Sequence, residues 1–147
     1  MEILFHPILH AAHLIEAHLR DALAETGLQP RQARVLLAIA EFGPIKQVQL
    51  AQAFDLAPPT MTVMLTRLER DGLVNRHSKA GDKQTSIALT PAGLALLPKI
   101  ERAWLSVDGF IRQSFGAAEA EAFSRAACLL RDALGGKPPH YLKGDHP

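Results

Sequence analysis

A chain of 147 residues, 48% of them hydrophobic, is long enough to bury a core unaided, and its single cysteine, Cys128, excludes a disulfide scaffold and a four-cysteine zinc module. No apolar run approaches the ~18 residues of a membrane span, and Met1-Glu2-Ile3-Leu4 lacks the basic flank of a signal peptide, so a cytoplasmic protein with no membrane partner is expected. The net charge of +1 gives none of the overall cationic excess common among nucleic-acid binders, which makes the distribution of charge along the chain the relevant quantity.

Residues 3 to 25 predict an amphipathic helix, with Ile8, Ala12, Ile15, Leu19 and Leu23 at three- and four-residue spacing and Thr26-Gly27 as its end. Leu28-Gln29-Pro30 opens a second helix with Val35, Leu36, Ile39 and Phe42 on its buried face, stopped by Gly43-Pro44. Ile45-Lys46 reads as a short extended link. Gln47 to Phe54 then predicts a short third helix carrying Val48, Leu50, Ala51 and Phe54, followed by a tight turn over Asp55-Leu56-Ala57-Pro58.

A fourth helix is expected from about Pro59 to Asp71. Stepping ~100° per residue gathers Met61, Met64, Leu65 and Leu68 on one side and Thr62, Val63, Thr66 and Arg70 on the other, with Thr60 and Arg67 on the flank. After Gly72 the period changes: 73 to 77 and 85 to 89 read as two strands joined by a polar, glycine-containing tip. Thr90 and Pro91 start a fifth, long helix bearing Leu94, Leu97, Trp104, Val107 and Ile111, in which Pro98 predicts a bend. A last helix over about Ala117 to Leu134 has Phe123, Ala127, Leu130 and Leu134 at regular spacing. Residues 137–147, rich in Pro, Gly and charge, are expected to form a flexible tail.

Three helices followed by a hairpin is the outline of a winged helix-turn-helix. Leu50-Ala51 before Thr60-Met61-Thr62, then Leu68-Glu69-Arg70-Asp71-Gly72-Leu73-Val74, and finally Leu89-Thr90-Pro91-Ala92-Gly93 resemble the MarR family of bacterial transcription regulators. The resemblance implies a mainly α chain with a small β-hairpin wing. One domain over 1–136 is expected, with a DNA-binding lobe at about 30–90 and dimerisation helices at 1–26 and 91–136. It further implies a homodimeric, ligand-responsive regulator, a repressor on a pseudo-palindromic operator in double-stranded DNA.

Dividing the charge supports that division of labour. Residues 46–90 carry six basic groups and four acidic ones, a surplus of +2 that leaves −1 for the rest of the chain. Thr60, Thr62, Thr66 and Arg67 are expected to meet phosphates or base edges, Arg70 the backbone, and Val63 a thymine methyl. Gln47 and Gln49 stand at the start of the preceding helix. In the wing, Arg76, Lys79 and Lys83 are the cations; family wings carry Asp-x-Arg at the tip, and Lys83, just after Asp82, is the residue placed for that arginine's part. Lysine lacks arginine's planar fork, so weaker minor-groove reading is implied.

Outside the wing, the resemblance implies a small effector of unknown identity, with His10, His13, Arg20 and Trp104 as possible contacts. His6, His10 and His13 form one stripe, and an alternative reading is a metal-responsive regulator; no further ligand is placed by motif spacing, so neither a metal nor a cofactor is expected. Cys128, beside Leu129 and Leu130, reads as a small buried hydrophobe. A winged-helix protein-interaction module without DNA binding is the second class. An enzyme is disfavoured, for the chain has no Gly-rich phosphate loop, no nucleophile elbow and no His-Glu-x-x-His.

Overall fold

The structure, a computed structural model, describes residues 3–78, 81 and 85–136. It is mainly helical, in the order α1 (Phe5–Ala22), a 3-10 turn (Ala24–Thr26), α2 (Pro30–Phe42), β1 (Ile45–Lys46), α3 (Gln47–Ala53), α4 (Pro58–Arg70), β2 (Val74–His77), β3 (Ser86–Leu89), α5 (Pro91–Phe115) and α6 (Ala117–Ala133). Lys79, Lys83 and the tail at 137–147 lie outside the described residues.

Local chemistry accounts for the boundaries. At α2 the Gln29 backbone N–H donates to Gln32 Oε1 at 2.9 Å, one half of a reciprocal capping box, and Pro30 sits where a missing donor costs nothing. Two residues past the end of α4, Gly72 has a φ of 73°, the left-handed conformation that closes a helix without a Cβ penalty. α5 starts at Thr90, whose hydroxyl accepts from the Gly93 N–H at 3.0 Å and donates to the Gly72 carbonyl at 2.6 Å. One side chain thereby caps one helix and ties it to the end of another.

The core lies where α2, α3, α4, the sheet and α5 meet. Leu36, Ile39, Leu50, Met61, Leu65, Leu68, Ile87 and Ile100 are fully buried in it, and no polar or charged side chain is buried among the described residues. That cluster fixes the orientation of α4, whose inward residues are those that its period assigns to the core.

Several expectations are corrected. The first helix stops at Ala22, short of 25, and a 3-10 turn replaces its last part because Thr26 Oγ1 donates to the Leu23 carbonyl at 2.6 Å and accepts from the Leu28 N–H at 3.1 Å. Ile45-Lys46 is a strand, not a link: it pairs antiparallel with β3, Ile45 opposite Ile87, making the sheet three-stranded in the order β1-β3-β2. α4 begins at Pro58, one residue earlier than expected, since a proline is as well accommodated in the first position as in the second. Cys128 is exposed, not buried, and so, among the described residues, are Ile8, Leu94, Phe123, Leu130 and Leu134.

Candidate nucleic-acid interface

α4 has Met61, Leu65 and Leu68 sealed in the core, which turns Thr62, Val63, Thr66, Arg67 and Arg70 to the outside; Val63 is 55% exposed. Thr60 is exposed on the flank. The turn before α4 passes through Asp55 at φ 49°, with Leu56 N–H donating back to the Ala51 carbonyl at 2.9 Å, so α3 and α4 are held at a fixed angle.

The N-terminus of α4 offers little to an anion. Pro58 and Pro59 have no N–H, and the next two amides, Thr60 and Met61, both donate to the Ala57 carbonyl, at 2.9 and 3.2 Å. An anion placed there would meet side chains rather than free first-turn amides. The last turn carries Arg67 and Arg70, cations that also suit the negative end of the helix dipole.

A chain of hydrogen bonds crosses the outward face. Gln47 Nε2 donates to Thr62 Oγ1 at 2.7 Å, and the Thr62 hydroxyl donates to the Pro58 carbonyl at 3.0 Å. One turn on, the Thr66 hydroxyl donates to the Thr62 carbonyl at 2.8 Å while Arg76 Nη2 donates to Thr66 Oγ1 at 3.1 Å. Arg76 Nε lies 3.2 Å from Glu69 Oε2, an ion pair without hydrogen-bond alignment, and that nitrogen is buried. Arg70 Nε stands 3.5 Å from Asp71 Oδ1 with its side chain 74% exposed. Among the described residues Arg67 has no ion-pair partner.

The structure thus gathers Gln47, Thr62, Val63, Thr66, Arg67, Arg70 and Arg76 around one face, and two of them hold neighbouring elements together. Gln47 and Arg76 brace α4 from α3 and β2 respectively. Gln49 Oε1 accepts from the Lys46 N–H at 3.1 Å, fixing the start of α3. Sequence reasoning missed Lys46 and Glu69. Lys46 lines, with Gln47, Val48, Ala51, Pro58 and Thr85, an open cleft of ≈ 280 Å³ between the α3 and α4 starts and the wing root. A lysine directly before a third-helix glutamine was the available signal for it; Glu69 had none, since its partner lies seven residues away on a strand.

The four effector candidates occupy two environments. His10, His13 and Arg20 lie exposed on α1, Arg20 within 4.0 Å of Glu16, whereas Trp104 packs half-buried against the central core. His18, not singled out from the sequence, stacks on Phe110 of α5 with ring centroids 5.0 Å apart. Among the described residues no three His, Cys, Asp or Glu side chains come together to hold a metal ion.

A family model described as the MarR family matches residues 28–85, from just before α2 to the start of β3. The chain is 30% identical over 142 residues to the homoprotocatechuate degradative operon repressor of Escherichia coli, covering 95% of this chain and 94% of that protein. Among solved structures, the S. aureus MepR-DNA complex matches with a TM-score of 0.81 at 19% identity, covering 91% of this chain and 99% of that one. The transcriptional repressor CouR, bound to a 23-mer DNA duplex, matches with a TM-score of 0.82 at 21% identity, covering 87% of this chain and 92% of that one. At those identities the two structures establish a shared winged-helix fold.

Proposed function

The chain belongs to the MarR family of transcription regulators, and from that membership we propose that it works as a homodimeric repressor in the cytoplasm, docking the outward face of α4 into the major groove of an operator half-site. The observation that carries this reading is the division of α4: a fully buried Met61, Leu65 and Leu68 lock the helix, while hydroxyls, a methyl-bearing valine and two arginines face outward unburied. Arg67 and Arg70 suit phosphate oxygens; Thr62, Val63 and Thr66 suit base edges. Lys79 and Lys83, which lie between β2 and β3 in the sequence, add two further cations to this lobe.

Support for a dimer comes from what one chain leaves uncovered. α1 buries no residue and α6 only Ala120, yet both carry large apolar side chains, among them Phe5, Leu9, Leu129 and Leu134, and α5 adds Leu105 and Phe110. Exposed apolar side chains on three helices that pack in the order α1, α5, α6 are what an association face presents. Two reading helices brought together by it would sit about one helical turn of DNA apart, ~34 Å, on a pseudo-palindrome. A small effector, contacting His10, His13, Arg20 or Trp104, releases the operator only in so far as it binds the two spacings of the dimer with different affinity.

Fluorescence anisotropy of a labelled operator duplex across salt concentrations tests the reading. Wild-type affinity is expected to fall steeply with salt, and Arg67→Ala combined with Lys83→Ala, removing four cations per dimer, should make the log–log slope shallower by roughly 2 to 4. Absence of duplex binding at low salt would overturn it.

A further inference from the structure

The hydroxyls of Thr62 and Thr66 are fully committed as donors inside the protein. A threonine hydroxyl has one hydrogen and two lone pairs. Thr66 gives its hydrogen to the Thr62 carbonyl, an acceptor only, and receives one from Arg76, a donor only, so the sense of both bonds is unambiguous. Thr62 gives its hydrogen to the Pro58 carbonyl, which forces Gln47 to present its amide nitrogen. Each oxygen keeps one free lone pair on an exposed face and nothing to donate.

Phosphate oxygens are acceptors, and so are N7 and O6 of guanine, N7 of adenine and O4 of thymine. The donors in the major groove are the exocyclic amines, N4 of cytosine and N6 of adenine. Resting on the DNA-binding reading above, we infer that Thr62 and Thr66 do not hold phosphates but select amino-bearing bases, adenine or cytosine, at the two positions they face. The γ-methyl groups of both threonines and the exposed Val63 favour thymine at neighbouring steps. Arg76 is a positioning residue in this scheme: together with Glu69 it keeps the Thr66 oxygen turned as an acceptor, and it need not touch DNA.

The experiment uses the full chain and a duplex chosen by selection from random sequences. At each selected adenine, N6 is removed by substitution with the purine nucleoside; at each cytosine, N4 is removed with 2-pyrimidinone. Wild-type protein should lose about three- to tenfold in affinity at the positions facing Thr62 and Thr66, the size of one neutral hydrogen bond. Thr66→Val should abolish the sensitivity at one position, with its salt slope unchanged, and Thr66→Ser should keep it. Arg76→Met should blur base preference at that position alone, and Arg76→Lys should restore it. A Thr66→Val protein that weakens equally on every duplex with a shallower salt slope, or wild-type binding indifferent to every amine deletion, overturns the inference while leaving DNA binding intact. Failure of the wild-type chain to bind any duplex overturns both.

Discussion

Thr90 and Arg76 are each single side chains that join two elements, and they differ in how much of that work is local. Thr90 caps α5 through Gly93 and also donates to the Gly72 carbonyl 18 positions away. Thr90→Ala is therefore expected to cost about 1–2 kcal/mol, the value of a lost cap plus a hydrogen bond, seen as a lower urea midpoint at unchanged m-value, with Thr90→Ser recovering most of it. The cap was legible because Thr-Pro is a helix-start pattern; the link to Gly72 was not, because local rules do not see across a hairpin. Arg76 shows the same boundary. As a lone arginine before a wing it reads as a DNA cation, and only the fold brings Thr66 and Glu69 to its guanidinium.

At the scale of elements, α4 was the most legible because a 3.6-residue period separates two chemically different faces. Met61, Leu65 and Leu68, assigned inward by that period, are fully buried. Leu65→Ala should lower stability by about 2–5 kcal/mol, a cavity cost measurable by denaturant titration. The first turn of α5 carries a second constraint: a Cβ at Gly93 would run into the Leu73 carbonyl oxygen, which is backbone and has no rotamer by which to give way. Gly93→Ala should thus destabilise by roughly 1–3 kcal/mol and lower the thermal midpoint, although alanine is the better helix former. β1 was illegible, since two residues cannot show an alternation, and its partner Ile87 lies 42 positions on. In α6 the period correctly showed an apolar stripe through Phe123, Leu130 and Leu134, but periodicity does not say what covers a stripe, and one chain leaves it, with Cys128, exposed.

For the whole molecule, that uncovered surface and the modest +2 on residues 46–90 belong to one account. So small a surplus supplies little bulk attraction to DNA, so the affinity has to come from two subunits docking at once and from base contacts. Leu129→Lys with Leu134→Lys, both exposed in the single chain and distant in sequence from the reading helix, should convert the dimer to monomer in analytical ultracentrifugation while leaving the helical circular dichroism signal in place. If a dimer reads two successive major grooves, affinity for a selected pseudo-palindromic duplex must depend on half-site spacing, which is measured before and after inserting five base pairs between the half-sites. The insertion rotates one half-site by about half a turn, and binding should fall by about 100-fold or more, toward the non-specific level. Affinity unchanged by the insertion would contradict it.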